Sequence, residues 1–428
     1  MVKKIVIAIA CITAISLNAQ DGTVSPYSYF GIGEIKASSS VENQMMGGVA
    51  TYTDSIHVNL SNPAGYSKLR LTAYSAGISY KQLALNSAVE KENSAITNLD
   101  YLAIGLPLGK GFGLGFGLNT YSSVGYNFRS ETQTTNSDGS LTNVINLYSG
   151  TGGLNKVYVS LGYELLKNLS IGVTANYNFG TLDNERAQNI EEVQFGTTDR
   201  RSSRIFGMDF NYALNYEPKI SDKHTLYSSV RVNTQANLSG RNRQQIGSFS
   251  TSDGTNIEIF EIDLAAQGLE KTGLKVPTTT TFGLGYGENK KWFLGGEYSF
   301  QKLSTFTNEF VDIDNFTYQD ASTLAFGGYF IPDYTSFTSY LKRVTYRAGV
   351  RFEQTGMVVN DTEINNFGIT FGVGLPLASG NGGFSNINLG FEYGKRGTTE
   401  ANLIEENYFK VNIGLSLNDR WFVKRKIN

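Results

Sequence analysis

The sequence is short of the residues on which many enzyme and metal sites depend: its 428 residues include one cysteine and two histidines. The cysteine, Cys11, lies in an N-terminal apolar stretch whose removal would exclude disulfides, zinc–cysteine sites and thiol catalysis. The histidines, His57 and His224, fall in different predicted regions without metal-ligand spacing, so no metal or other cofactor is expected. No Gly-x-Ser-x-Gly elbow is present either, and we therefore expect no enzymatic activity.

Strong charge of either sign and long hydrophobic runs are also missing. The 36 basic and 38 acidic side chains leave a net charge of −2, which argues against a nucleic-acid partner because such proteins carry a basic surface. Beyond the N-terminus, no stretch approaches the run of about 20 apolar residues that a membrane helix requires.

The N-terminus has the pattern of an export signal. Lys3 and Lys4 precede an apolar core over residues 5–17, and Ala19 offers a small residue for cleavage. The apolar core is too short to span a bilayer, so residues 1–19 are interpreted as a signal peptide that is removed. The alternative is a lipoprotein acylated on Cys11, although the residues before Cys11 match a lipobox poorly.

What the sequence does contain is a two-residue alternation that repeats down most of the chain. In residues 170–179, for example, Ile171, Val173 and Tyr177 alternate with serine, glycine, threonine and asparagine. A strand has a side-chain period of two, so one face is apolar and the other is polar. Together with the export signal, this pattern predicts an all-β transmembrane antiparallel barrel of about 14 strands, with apolar side chains facing lipid. The predicted strands cover residues 71–85, 98–108, 111–131, 154–165, 168–183, 203–217, 224–238, 278–287, 291–306, 320–330, 343–357, 365–376, 384–397 and 406–416.

The predicted connections alternate between short and long. Outer-membrane barrels have short periplasmic turns and longer outer loops, so we expect a Gram-negative outer-membrane protein, surrounded by outer-membrane lipid, with both termini in the periplasm. Residues 20–70 lack a regular period and form a separate region, and residues 71–428 hold the barrel and a basic tail, Lys424-Arg425-Lys426. The predicted long connections are residues 86–97, 132–153, 184–202, 239–277 and 307–319.

A short motif leads into the first predicted strand. Asn62-Pro63-Ala64-Gly65, preceded by Gly47-Gly48-Val49-Ala50, resembles the start of the barrel in the long-chain fatty acid transporter (FadL) family. That family includes aromatic-hydrocarbon transporters and the PorV-type proteins of Bacteroidota secretion systems. The resemblance implies a 14-stranded barrel with residues 20–70 folded inside as a plug, and passage of hydrophobic molecules, with a gap in the wall as one exit. The opening residues 25–33 and closing residues 421–426 also resemble outer-membrane proteins of Bacteroidota.

Four glycines alternate with apolar residues at the start of the third predicted strand: Gly111, Gly113, Gly115 and Gly117. A dinucleotide-binding loop would need a helix after the glycines, and no helical pattern follows. Two interpretations remain open. The glycines face the lumen and leave room for the plug, or they permit a strand kink that suits a lateral opening.

Charged side chains fall on the polar, inward face of several predicted strands. They are interpreted either as a binding or selectivity surface, or as an ion-pair network that braces the barrel against the plug. Arg347 and Arg351 are the strongest candidates to bind carbonyl or carboxylate groups of the plug. The predicted inward charges are Glu164, Asp209, Arg231, Glu297, Arg347, Arg351, Glu353, Glu392 and Lys410.

The sequence leaves more than one function open. The first hypothesis is passive uptake of small hydrophobic compounds through the plugged lumen. The alternative is a non-transporting scaffold or adaptor subunit of an outer-membrane secretion or assembly complex, whose partners would be other cell-envelope proteins. An open porin fits less well because a wide channel usually takes about 16 strands or more.

Overall fold

A computed structural model describes residues 22–135, 139–308, 310, 315–377 and 385–420. The predicted signal peptide with Cys11, and the C-terminal residues 421–428 with the basic tail, lie outside the described residues. No helix in the described part of the chain is long and apolar enough to cross a membrane.

The described chain forms a closed antiparallel barrel of 14 strands, which confirms the predicted fold class and strand number. The first and last strands close the barrel, pairing from Thr72 with Asp419 to Asn86 with Glu405. Several strands are interrupted and continue after a short break. The strands are β1 (Thr72–Asn86), β2 (Lys91–Gly109), β3 (Phe112–Thr135), β4 (Leu141–Leu166), β5 (Leu169–Ile190), β6 (Phe195–Tyr216), β7 (His224–Asn233 and Ala236–Ser250), β8 (Asn256–Glu261, Lys271–Val276 and Thr279–Glu288), β9 (Trp292–Gln301 and Thr307–Asn308), β10 (Phe316–Tyr318 and Ala321–Phe330), β11 (Thr345–Val359), β12 (Thr362–Pro376), β13 (Asn386–Arg396) and β14 (Glu405–Asp419).

Helical structure is confined to short pieces. The N-terminal residues contain one α-helical turn, α1 (Val41–Gln44), and a two-residue strand, Glu34–Ile35, that pairs with Ser122 and Ser123 of β3. The 3₁₀ segments are Pro26–Tyr29, Pro63–Lys68, Leu303–Thr305, Leu341–Arg343 and Glu400–Asn402.

The two faces of the wall differ as the alternation predicts. On β5, Tyr177 is 46% exposed, whereas the neighbouring Asn176 and Asn178 are buried. On β6, Met208 and Phe210 likewise point outward. Apolar rows on the outside of a barrel are stable only against lipid, and the polar rows face the lumen.

Most of the predicted long connections are instead strand, which corrects the sequence-based prediction. β3 continues to Thr135 and β4 begins at Leu141, while β5 continues to Ile190 and β6 begins at Phe195. In these extensions neither face is consistently apolar, so the sequence loses its alternation although the backbone ladder continues. We call this end of the barrel the loop end, and the end that holds Thr72 and Asp419 the turn end.

The wall has a seam between β2 and β3. β2 pairs with β3 only from Tyr101 opposite Asn119 down to the turn, and the upper part of β2 pairs with β1 alone among the described residues. Immediately above the seam's lower limit, β3 pairs with Glu34–Ile35 instead. The register of β3 against β4 shifts between Thr120 and Ser122, so the irregularity of β3 lies at Tyr121.

Candidate functional site in the barrel lumen

Residues 22–71, the N-terminal segment, contact strands all around the barrel. The contacts link it to β6, β7, β12, β13 and β14, and a segment that reaches strands on every side of a closed barrel lies within its lumen. They include Asn62 with Asn215 (3.0 Å), Thr51 with Ser229 (2.9 Å), Gly47 with Thr370 (3.0 Å), Asn388 with Glu42 (2.8 Å) and Ser416 with Glu42 (2.6 Å).

The motif Asn62-Pro63-Ala64-Gly65 lies at the turn end of the lumen. The Pro63–Lys68 3₁₀ segment begins directly after Asn62, with proline at its first position, where a missing N–H costs nothing. Asn62 is fully buried, and its Nδ2 donates to the Asn215 side-chain oxygen and to the Ala50 carbonyl (3.2 Å). The motif is therefore held by hydrogen bonds both to the wall and to its own segment.

The backbone of this segment rests directly on glycines of the wall. A Cβ at Gly113 would lie 1.8 Å from the Tyr66 carbonyl oxygen, and a Cβ at Gly172 would lie 2.2 Å from the Pro63 carbonyl carbon. A Cβ at Gly162 would lie 2.7 Å from the Pro63 oxygen. Three neighbouring strands, β3, β4 and β5, thus accept the segment only because they present glycine.

The four predicted glycines do not act alike. Gly113 and Gly115 face Tyr66, whereas Gly117 lies against the Leu102 carbonyl and the Tyr158 ring. Gly111 lies in the β2–β3 turn, with a φ of +80°. The ladder between β3 and β4 is regular past all of them, and its register shift comes later, at Tyr121.

Apolar side chains complete the closure at the turn end. Val58, Leu60, Tyr66 and Leu69 are buried together with Tyr101, Tyr158 and Ala103 of the wall. Residues 58–71 with these wall contacts are called the turn-end seal. The structure places these residues against β2, β3 and β4 at the turn end of the lumen.

Above the seal lies a cavity of about 530 Å³, the charged chamber, between the N-terminal segment and the wall. Opposite charges are nearly balanced around it, and its rim at Ile96, Asn98 and Thr120 lies beside the β2–β3 seam. Its charged lining consists of Glu34, Lys36, Lys81, Asp100, Lys156, Asp209, Arg231, Glu297, Arg351, Glu353, Glu392, Arg396 and Lys410.

One ion-pair network of the chamber centres on Glu297. Its carboxylate binds Arg231 and accepts hydrogen bonds from the Ala50 N–H (2.8 Å) and the Thr51 hydroxyl (2.6 Å). Nearby, Asp209 accepts from Asn176 (2.7 Å) and Asn178 (2.6 Å) and lies 3.9 Å from Lys156. The Glu297 carboxylate therefore joins the wall to the N-terminal segment.

A second network centres on Glu34 of the N-terminal segment. Its carboxylate lies 3.0 Å from Lys81 and 2.8 Å from Arg396. Burial opposes ionisation, but the two cations outweigh it and hold the pKa of Glu34 well below its usual range. Close by, Ser25 donates to Glu406, which is fully buried and lies 3.7 Å from Arg396.

The predicted inward charges divide into three groups. The first group lines the chamber and consists of Asp209, Arg231, Glu297, Arg351, Glu353, Glu392 and Lys410. Within it, Arg351 binds Glu392 at 2.7 Å. Arg347 is buried outside the chamber lining and donates to Asn388 (3.0 Å), through which it connects to the N-terminal segment. Glu164 is half-buried at the turn end, where its backbone N–H binds the Gly111 carbonyl.

The charged residues that the sequence reasoning missed are Glu34, Lys36, Lys81, Asp100, Lys156, Arg396 and Glu406. Arg396 and Glu406 share the alternation that placed Glu392 and Lys410 inward, so a longer count along β13 and β14 finds both. Glu34 lies in a region without the two-residue alternation, so no pattern in the sequence indicates where its side chain points.

Beside the turn-end seal, Asp54 and His57 form an ion pair of 2.6 Å. Burial lowers the pKa of His57, but the Asp54 carboxylate outweighs this effect, so the pKa of His57 is raised. The other ring nitrogen of His57 lies 3.3 Å from the Asn386 side chain at the start of β13. This pair therefore ties the segment to the wall at the turn end.

Comparison with known proteins gives a family and a fold. The family model described as BamG matches residues 1–428, and no curated protein matches the chain. Among solved structures, the toluene transporter TodX of Pseudomonas putida is similar with a TM-score of 0.57 and 14% identity, covering 91% of this chain and 99% of TodX. A FadL homologue of Pseudomonas aeruginosa is similar with a TM-score of 0.55 and 12% identity, covering 91% of this chain and 100% of the homologue. The toluene transporter TbuX of Ralstonia pickettii is similar with a TM-score of 0.55 and 11% identity, covering 89% of this chain and 98% of TbuX.

These likenesses confirm the barrel fold expected from the FadL resemblance. At identities of 11–14% they establish the fold alone. The family whose model matches is BamG, so the expected membership of the FadL and PorV-type group is not confirmed by name. The fold is that of outer-membrane channels.

Proposed function

The chain belongs to the BamG family, and on that premise we propose that it serves as a non-transporting scaffold subunit of an outer-membrane assembly complex. The family match supports the assembly context, since it extends over residues 1–428. The observation that carries the scaffold role is the turn-end seal, in which the backbone of Pro63–Lys68 rests on glycines of three strands. A substrate path would require this seal to leave the wall.

The charged chamber also supports a structural role for the lumen. A hydrocarbon entering it could offer no hydrogen bond to Glu34, Arg351 and Glu392, or to the other charges of the lining. Each polar group left unsatisfied in this way costs about 1–3 kcal/mol. The charges instead bind one another and the N-terminal segment, an arrangement suited to holding the segment in place.

The proposed orientation has the loop end outside the cell and both termini in the periplasm. β3 to β6 contain 22–26 residues each, whereas a strand needs about 9–11 to cross the membrane. The excess forms tall hairpins on one side of the barrel. Next to them, Ile257, Ile259 and Phe260 of β8 are 49–60% exposed, and we propose this apolar strand as the surface for an envelope protein partner.

Affinity purification of the full chain from native membranes after cross-linking tests the scaffold role. We expect envelope proteins at fixed stoichiometry with the wild type, and their loss with the double variant Ile259→Asp/Phe260→Ser. Val89→Asp, which places the same charge at another apolar site of the loop end, is the matched control and should retain the partners. Purification of the wild type alone, with measurable hydrocarbon uptake into liposomes, would contradict the proposal.

The β2–β3 seam favours a second candidate function, passive uptake of small hydrophobic compounds. Ile96 and Thr120 line the chamber beside the seam, so a compound that reached the chamber would have a lateral exit to lipid. This candidate ranks second because the compound must first pass the chamber's charges. Saturable uptake of toluene by liposomes containing the wild type, reduced in Ile96→Glu, would favour it over the scaffold role.

A further inference from the structure

Three cations lie side by side on the outer face of the wall. Arg204 of β6 is directly opposite Arg241 of β7, and Arg241 is directly opposite Lys271 of β8. All three side chains are exposed. Like charges directly opposite one another in a sheet destabilise it, so this cationic row costs the barrel stability when nothing neutralises it.

The cationic row borders the lipid-facing surface. Arg204 lies two residues before Phe206 on the same face of β6, and Met208 and Phe210 continue that face into the apolar band. The Arg241 guanidinium lies 5.7 Å from the centre of the Phe206 ring, which fixes its position against the top of the band. A group that binds the row would therefore adjoin the surrounding leaflet.

Two carboxylates near the row are already engaged. Glu185 binds Arg200 at 3.0 Å, and Glu261 binds Arg243 at 2.6 Å, both on the same outer face. Among the described residues, no ion pair joins a carboxylate to Arg204, Arg241 or Lys271. The three cations of the row are thus available to an anionic ligand.

We infer that the cationic row docks the headgroup of a membrane glycolipid that carries more than one phosphate, in the leaflet at the loop end. Neighbouring strands are about 4.8 Å apart, so the three cations of the row extend over about 10 Å. A single phosphate cannot contact all three cations over that distance. Its position at the edge of the apolar band favours a lipid over an acidic protein. The choice of a glycolipid rests on the orientation proposed above, with the loop end facing outward.

The triple variant Arg204→Gln/Arg241→Gln/Lys271→Gln tests this inference in neutral detergent micelles. Native mass spectrometry with added lipid A, a glycolipid with two phosphates, measures binding. We expect at least tenfold weaker binding than in the wild type, because phosphate contacts by these cations are lost. The matched control is Lys91→Gln/Arg129→Gln/Lys302→Gln, which removes the same charge from scattered exposed sites at the loop end and should change binding less than twofold.

Thermal unfolding separates lipid docking from a purely structural role. Without lipid A, the row variant should melt at the wild-type temperature or above it, because repulsion within the row is removed. With lipid A, the wild type should gain stability and the row variant should not, since only a bound ligand stabilises the folded state. Equal lipid A binding by both proteins, or loss of a co-purified protein partner without loss of lipid A binding, would overturn the inference. Neither result depends on the scaffold role, which the cross-linking experiment tests separately.

Discussion

One segment is held in the lumen by two different kinds of interaction. At the turn end, residues 58–71 are fixed by shape, with the backbone against Gly113 and Gly172 and apolar side chains packed together. In the chamber, residues 22–40 pack Tyr29 and Ile32 against the wall and add buried ion pairs, chiefly through Glu34. The chamber half of the segment therefore depends more on charge than the turn end does.

Packing against glycine does not respond to pH or salt, whereas ion pairs do. A partner or a change in conditions that neutralised Glu34 would weaken the attachment of the first part of the segment and leave the contacts of residues 58–71 in place. The contacts of residues 58–71 and those of Glu34 can therefore be altered separately.

The largest expected effect comes from removing the charge of Glu34. Glu34→Gln leaves Lys81 and Arg396 without their buried partner, and breaking such a pair costs about 3–5 kcal/mol. We expect residues 22–40 to lose amide protection in hydrogen exchange, while residues 58–71 keep theirs. Equal loss of protection in both regions would mean that the segment is held as one unit.

The same pair predicts a response to acid. Because the pKa of Glu34 is lowered in the folded state, its contribution is present above the ordinary value of about 4.3 and is lost as pH falls through the lowered value. Arg243→Gln, which removes an exposed ion pair with Glu261, is the matched control for Glu34→Gln and should leave protection of residues 22–40 unchanged.

The second effect concerns the turn-end seal. Gly172→Ala places a methyl group against the Pro63 carbonyl carbon, and overpacking of this kind costs about 1–3 kcal/mol. Urea unfolding in detergent should show the loss, and planar-bilayer conductance should rise as the seal loosens. Gly273→Ala is the control, because nothing lies within 4 Å of a Cβ at that position. Unchanged conductance in Gly172→Ala, despite lower stability, would show that closure does not depend on the glycines.

A smaller effect is expected at the motif itself. Asn62→Ala removes the hydrogen bonds to Asn215 and to the Ala50 carbonyl, and the net loss for such bonds is about 1 kcal/mol. Faster hydrogen exchange in residues 58–71, with unchanged exchange in residues 22–40, is the expected result. Faster exchange in residues 22–40 as well would mean that Asn62 also supports the part of the segment that lies in the chamber.

The wall was largely predictable from the sequence because lipid imposes a strict rule on it. Every residue of β5 that faces lipid is apolar or alanine from Ile171 to Phe179, so the period of two identifies the strand and its faces. Where a strand extends beyond the membrane, its outward side chains no longer need to be apolar. The hairpin of β5 and β6 continues to Ile190 and Phe195 through polar pairs, and no alternation signals it.

The lumen was predictable only where its residues belong to the wall. Arg231, Glu297 and Glu392 face inward as their strands dictate. Which groups they bind depends on the path of the N-terminal segment, and that path is set by contacts distant in sequence, such as Ala50 with Glu297. Local pattern carries no information about such contacts, so the partners of the inward charges could not be named.

The smallest expected effect tests whether the turn end is wholly insensitive to pH. The pKa of His57 is raised, so its pair with Asp54 contributes fully below the ordinary value of about 6.5, and the contribution is lost as pH rises through the raised value. The pair is partly exposed, and its contribution should not exceed about 1 kcal/mol. Hydrogen exchange of residues 58–71 should therefore accelerate slightly over that range in the wild type and in His224→Gln, but not in His57→Gln. A wild-type profile in His57→Gln would show that the Asp54–His57 pair does not restrain residues 58–71.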